Sequence, residues 1–241
     1  MKEIRYFYVP DAANAGELPE EEAKHAVRVL RLQCGDTMVL ADGCGGLFEA
    51  EVSMATGKHC MYRISGKLDC ERGWQGRISL AIAPTKMMDR MEWMAEKATE
   101  IGFDELVFVD CKFSERKTLR TDRVDRIVVS AMKQSHKAFK PVVGDMCPFA
   151  DFVQSARDGR KFIAHCYEEI ERKDFYGELV AMDAAEPVTV LVGPEGDFSV
   201  DEVRFAMANG YEPISLGRSR LRTETAGLEA VMMANLSKRT L

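Results

Sequence analysis

The run VTVLVGPEGDFSVDEVRFAMANGYEPISLGRSRLRTETAGLEAVMMANL, residues 188–236, decides how the rest of the chain is read. Val188 to Val192 is a β-branched apolar run of strand length. Gly193-Pro194-Glu195-Gly196 ends it abruptly, the punctuation of a buried strand whose following loop is open to a ligand. Ser199 and Glu202 have capping-box spacing ahead of Val203, Ala206 and Met207, and Gly210 stands where a left-handed residue closes a helix. A helix is therefore predicted over 200–209. Ile214 to Leu216 reads as the next strand and Gly217 as its end. The loop Arg218 to Thr225 then enters a final helix whose Ala226, Gly227, Ala230 and Ala234 let another backbone come close.

Upstream, the same alternation recurs. Ile78–Ala83, Leu106–Val109 and Phe162–Ala164 are strand candidates, with helices predicted over Asp89–Ile101, Asp122–Ser135 and Phe175–Met182. Met91, Met94, Ala98 and Ile101 form the inward stripe of the first helix, and Val124, Ile127, Val128 and Met132 that of the second. Five short apolar strands interleaved with helices predict an α/β fold with a mostly parallel sheet covered on both faces. Residues 1–72 read differently, as a small β-rich domain. Its strands are Ile4–Val9, Thr37–Ala41, Leu47–Met54 and Met61–Ile64, with a turn at Asp42–Gly46 and one helical stretch, Glu20–Leu30. Polar, glycine-marked Gly66–Gly76 reads as a linker into a second domain, 73–241.

With 46% apolar residues the chain can bury a proper core. Its start lacks the apolar core of a secretory leader and no run has the length of a membrane span, so a cytoplasmic protein without a membrane partner is expected. Seven scattered cysteines, an odd number without a C-x-x-C pair, read as reduced thiols, and no metal site is expected. A net charge of −6 speaks against nucleic acid until its distribution is considered. Lys112–Lys140 carries nine Lys or Arg against three acids, a local net of +6. Such a run is commonly a solvated helix face. Here its flanking loops favour RNA contact.

Beyond these local readings, the pair GPEGDFS..E and LGRSRLRTETA resembles the signature of the SPOUT methyltransferases. In particular it is similar to the bacterial family that methylates N3 of a uridine in 16S ribosomal RNA. KHAVRVLRLQCGD, KMMDRMEWMAEKATEIG, FSER and AMKQSHKAFKP agree with that family in the same order, so the resemblance spans nearly the whole chain. Asp197 departs from it where a second glycine is usual, and Arg220 where an aliphatic residue is usual. The resemblance implies a SPOUT-type parallel sheet with a C-terminal trefoil knot, although chains in general are unknotted. It also implies a PUA-like β-barrel at the amino terminus, a homodimer, S-adenosylmethionine as cofactor, and 16S ribosomal RNA or the small ribosomal subunit as partner.

The expected site residues follow. The cofactor would lie against Val192, Gly193, Pro194, Glu195 and Gly196, against Ile214, Ser215, Leu216, Gly217 and Leu221, and against Ala164, His165 and Cys166 at the end of the third strand; Thr225 and Ala226 complete the set. Thr225 also reads as a helix cap. Methylation at N3 requires its proton to leave and the ring anion to be stabilised. Arg222 is the candidate for stabilisation, and Glu224 or Glu195 for the base, with the alternative that Glu224 only pairs with Arg222. RNA contacts are expected from His25, Arg28 and Arg31, from Arg116, Lys117, Arg120, Lys133 and Lys137, and from Arg218 and Arg220. His25 alone fits a cap or packing role equally well. Rival readings are a related enzyme acting on ribose 2′-oxygen or guanine, and a non-catalytic RNA-binding assembly factor. A nicotinamide dehydrogenase lacks the G-x-G-x-x-G that its first strand would need.

Overall fold

The computed structural model describes residues 4–240, which divide into two compact units. The first comprises residues up to Arg72 together with Val129–Lys140. Its strands are β1 (Tyr6–Tyr8), β2 (Thr37–Ala41), β3 (Leu47–Thr56) and β4 (His59–Leu68), hydrogen-bonded in that order, with β1 parallel to β2 and the other pairs antiparallel. No ladder closes β1 onto β4 among the described residues, so the expected barrel is an open sheet whose free edge receives residues 16–18. Tyr62 N–H donates to Gly16 O and Leu18 N–H to Cys60 O, each at 2.9 Å. The Asp42–Gly46 turn forms because the Asp42 carboxylate accepts both Cys44 N–H (2.7 Å) and Gly46 N–H (2.9 Å), a self-capped turn.

Two short helices, α1 (Ala12–Ala15) and α2 (Glu20–Lys24), lie on this unit. The helix expected through Leu30 stops being α-helical at Lys24: His25–Val29 is a π turn, with Leu30 N–H reaching back five residues to His25 O. Arg31 follows with a left-handed φ of 54°. Residues 129–140, which the sequence reading places in the second domain, belong to this unit through Met132 and Ala138, buried with Val39, Ala41 and Leu47. His136 stacks on Tyr6 with ring centroids 4.2 Å apart.

The second unit holds the α/β fold. In chain order its elements are β5 (Ile78–Ile82), α3 (Met88–Ile101), β6 (Glu105–Asp110), α4 (Thr121–Gln134, whose end belongs to the first unit), β7 (Val142–Val143), β8 (Cys147–Pro148), α5 (Phe149–Gln154), β9 (Arg160–Ala164), β10 (Lys173–Asp174), α6 (Phe175–Ala181), β11 (Val188–Val192), α7 (Val200–Ala208), β12 (Tyr211–Ser215) and α8 (Thr223–Lys238). Every ladder is parallel, in the order β10-β12-β9-β11-β5-β6-β7, with β8 also on β6. β11 is buried along its whole length because each face is covered: Val188, Val190 and Val192 pack with α3, α6 and α8, and Leu191 with α5 and α7. No helix among the described residues is long and apolar enough to cross a membrane.

The small-residue helix α8 sits on the middle of the sheet. Gly227, Ala230 and Ala234 are buried, and a Cβ at Gly227 would stand 2.7 Å from Ile82 Cδ1. Alanines bury little apolar area, on the order of 1 kcal/mol per methyl, so polar anchors carry much of the helix's hold. Asn235 Nδ2 donates to Gly102 O at 2.9 Å. The buried Lys238 ammonium donates to Ala184 O (3.0 Å) and Glu186 O, and burial holds its pKa below the usual lysine range. The expected linker is partly structural: β4 runs to Leu68, and buried Trp74 donates its indole N–H to Asp104 Oδ2 at 3.1 Å.

Candidate functional site

β9, β11 and β12 are neighbours in the sheet and end at the same level, so the loops leaving them meet. They enclose a cavity of about 1130 Å³. Every expected cofactor residue lines it except Gly196, which faces Phe113, and Thr225. Thr225 lies inside the first turn of α8, whose N-cap is Arg222, so the reading of Thr225 as the cap is corrected. Arg222, Glu224 and Glu195 line the cavity, as do Arg218 and Arg220.

The geometry gives these groups different work. Glu195 Oε1 accepts Lys86 N–H at 2.9 Å, tying its loop to the one that follows β5. That loop is gripped a second time by Arg116, whose Nη2 donates to Lys86 O (2.8 Å) and whose Nε donates to Thr85 O (3.3 Å). Glu202 caps α7 with one oxygen and accepts Lys112 N–H with the other, at 2.7 Å. The FSER segment is thus stitched to the GPEG loop and its neighbours. Lys117 is held by Asp110 (2.7 Å) and Cys111 O (2.9 Å), Arg120 by Asp122 (3.1 Å), and Lys133 by Glu22. Much of the basic run is therefore engaged in holding the protein's own loops and helices. Arg218, Arg220 and Arg222 form no ion pair among the described residues and stand exposed on the loop before α8.

Asp197 fills its unusual place in a specific way. Its backbone is left-handed, φ 66°, a conformation short polar side chains tolerate. Its carboxylate accepts Phe198 N–H at 2.7 Å and Cys166 N–H at 2.8 Å, pinning the GPEG turn to the end of β9. On that wall His165 is buried, which lowers its pKa; Nδ1 accepts Tyr167 N–H at 3.2 Å, so the neutral ring carries its proton on Nε2. Burial, with Asp197 nearby, raises the pKa of the Cys166 thiol and keeps it protonated, hence a poor nucleophile. Gly217, at φ 137°, leaves open space where a side chain would begin.

Glu224 is 6% exposed, in the first turn of α8, and its partner is not Arg222 but Arg90 of α3, whose Nη1 stands 3.4 Å from Glu224 Oε1. Arg90 lines the cavity, as do Glu168, Arg172 and Asp174, none of them in the sequence reading. Arg172 donates to His165 O at 2.9 Å. These residues meet across as many as 134 positions of chain, from Arg90 to Glu224, or lie in irregular segments, where periodicity carries no signal.

A crevice at the carboxyl ends of parallel strands, walled by backbone, apolar side chains and a few convergent charges, defines an α/β enzyme that holds a small cofactor-sized ligand. Residues 72–235 match the RNA methyltransferase domain, and residues 18–60 the RNA methyltransferase PUA domain. The chain belongs to this family of RNA methyltransferases. It is similar to a solved probable rRNA-methyltransferase from Porphyromonas gingivalis, 41% identical over 98% of each chain with a TM-score of 0.89. It also resembles a Legionella pneumophila protein, described as a methyltransferase and solved with bound S-adenosylmethionine, at 27% identity over 99% of this chain and 100% of that one, TM-score 0.88. The ribosomal RNA small subunit methyltransferase E of Mycobacterium tuberculosis is 29% identical over 93% of this chain and 88% of its own. An α/β fold with a parallel sheet, in a chain that also carries a PUA-like domain, fits the SPOUT methyltransferases.

Proposed function

We propose that the protein uses S-adenosylmethionine to methylate N3 of one uridine in 16S ribosomal RNA, with Arg222 and Glu224 at the reacting ring. The observation that carries this is the meeting of both glycine-marked loops and the end of β9 on one cavity that also holds those two side chains. The lining suits the cofactor: Val192, Ile214, Leu216 and Leu221 supply apolar walls, Gly193 and Gly217 allow close backbone approach, and the one thiol is kept protonated. The names of the small-subunit relatives support the RNA.

When bound, S-adenosylmethionine supplies a methyl carbon on a sulfonium. The protein's part is alignment and charge. The N3–H bond breaks with its proton passing to the Glu224 carboxylate. Val192, Gly193, Ile214, Leu216 and Leu221 would hold the cofactor, which would donate its methyl group to the deprotonated N3 and be left as a neutral thioether. Arg222, exposed at the N-cap of α8, faces the charge that gathers on the uracil oxygens. Arg218 and Arg220 on the same loop contact RNA phosphate, and His25, Arg28 and Arg31 make RNA contacts from the π turn of the first unit.

The reading includes the trefoil knot and a homodimer. For the knot, support comes from the last residue of α8 and the chain just after it, which are clasped by two earlier segments: Gln75 N–H donates to Lys238 O (2.9 Å), Thr240 N–H to Gly73 O (3.2 Å), and Lys238 to Ala184 O (3.0 Å). For the homodimer, support comes from Met232 and Leu236, exposed apolar side chains of α8. A substrate in the small ribosomal subunit places the protein in the cytoplasm.

The direct test is deletion of the gene, mapping of modified bases in 16S ribosomal RNA, and restoration of the missing mark with this protein; an unchanged map defeats the proposal. In purified protein, Arg222→Ala should lower kcat about 100-fold and leave S-adenosylmethionine affinity within a few fold by calorimetry. Parallel loss of cofactor binding would make Arg222 a structural part. Asp197→Gly keeps the left-handed backbone but loses two amide contacts, so cofactor affinity should weaken about tenfold, the worth of one such hydrogen bond. An unchanged Kd would reduce Asp197 to a turn residue.

A further inference from the structure

We infer that Arg90 is a positioning residue for the methyl transfer, acting through Glu224; this rests on the function proposed above. Glu224 projects from the first turn of α8 with almost no exposure, and a carboxylate so placed is costly without a partner. Its cation is Arg90, 3.4 Å away, from the first turn of α3. Arg90 also lines the cavity and is half-exposed, so it meets the buried carboxylate on one side and the reaction space on the other. A guanidinium suits this place because its several N–H groups lie in one plane and its charge is permanent.

The placement of Arg90 is itself fixed by both motif regions. Its backbone N–H donates to Met87 O at 3.1 Å, and Thr85 Oγ1 donates to the same carbonyl at 3.1 Å. The loop carrying these residues is the one held by Glu195 at Lys86 N–H and by Arg116 at Thr85 O and Lys86 O. A chain of contacts thus runs from the GPEG loop and the FSER segment, through the loop after β5, to the carboxylate that takes the proton. Glu195 takes part in this chain of contacts through Oε1, which accepts the Lys86 amide. Charge bookkeeping favours a cation at this point. Before transfer the negative charge is on Glu224, afterwards it has moved toward the ring, and a fixed cation beside the carboxylate on the cavity wall attracts both.

The test is a double-mutant cycle on the full-length protein, using Arg90→Ala, Arg90→Lys, Glu224→Gln and the Arg90→Ala, Glu224→Gln pair. It measures kcat and KM for small-subunit RNA, Kd for S-adenosylmethionine, and thermal stability. Arg90→Ala should lower kcat about 30- to 100-fold, the scale of a misplaced reacting group, with cofactor Kd within about threefold of wild type. Arg90→Lys should recover part of the rate. In the Glu224→Gln background, Arg90→Ala should cost less than about twofold more, because two residues acting through one function are not additive. Multiplicative losses, an unchanged kcat in Arg90→Ala, or parallel loss of cofactor binding each overturn the positioning role while leaving the proposed function standing. Wild-type protein that leaves the uridine unmethylated overturns both.

Discussion

Gly227→Val is expected to lose about 3 kcal/mol or more of stability, at the upper end of the cost of overpacking a core, and to lower Tm by about 6–12 °C for a chain of this size. A side chain at 227 begins 2.7 Å from Ile82 Cδ1, 3.3 Å from Leu80 Cδ2 and 3.7 Å from Met94 Sδ. Ile82 and Met94 are buried in the same packed cluster, so neither can turn aside without displacing others. Valine adds a branched side chain that a helix tolerates less well than alanine. Because α8 begins at Thr223, pushing it off the sheet also moves Glu224 and Ala226 in the cavity wall, and cofactor affinity should fall with Tm. Gly227→Ala is the control: its helix propensity gain of about 1 kcal/mol offsets part of the crowding. The measurement is thermal denaturation followed by circular dichroism. A valine variant that melts with the wild type would remove close packing as the reason for glycine here.

That helix shows what local sequence conveys. Its small residues announced close approach, as Val188–Val192 announced a buried strand and Ser199 with Glu202 a capped helix, because the cause of each lies within a few residues. The two-residue strands β7, β8 and β10 and the short α5 escaped notice, being too brief to show a period. The π turn at His25–Val29 was invisible for another reason: one extra residue per turn leaves the apolar pattern nearly unchanged. Met132 ends an ordinary helical stripe, and nothing in it says that its partners are Val39 and Leu47 rather than the parallel sheet.

The site divides in the same way. Its backbone walls were legible because glycines after strands mark them. Its charge pairing was not. The only ion-pair partner that sequence offers Glu224 is Arg222, two residues away and an alternative to its role as base, while the partner in the structure stands 134 positions earlier in the chain. Glu195 and Asp197 each accept amides from distant segments, Lys86 and Cys166, so both carboxylates tie loops together, a role no local pattern announces. The basic run reads as an RNA surface by charge count, yet Arg116 and Lys117 spend their donors on backbone carbonyls and Asp110.

Glu224→Gln should lower kcat by about 10²- to 10⁴-fold, the contribution of a positioned general base. Affinity for S-adenosylmethionine should stay within a few fold and Tm within a few degrees. The alternative is structural: an acidic residue in the first turn of a helix favours the macrodipole, and Glu224 is so placed. That effect is worth about 0.3–1 kcal/mol, too little to disturb folding of a two-unit chain and unable to change a chemical step by several orders of magnitude. Glutamine keeps the side chain's size and leaves Arg90 solvated, since that guanidinium is 42% exposed. No cation is stranded by the change. The rate measurement therefore separates the readings. If methyl transfer to small-subunit RNA proceeds at the wild-type rate while Tm drops slightly, Glu224 is a helix and ion-pair residue and the base must be sought elsewhere on the cavity wall. If kcat collapses with binding and fold intact, the proton leaves N3 through the buried carboxylate of α8, and the separation of Glu224 from Arg222 becomes intelligible: one group accepts the proton, the other meets the charge it leaves behind.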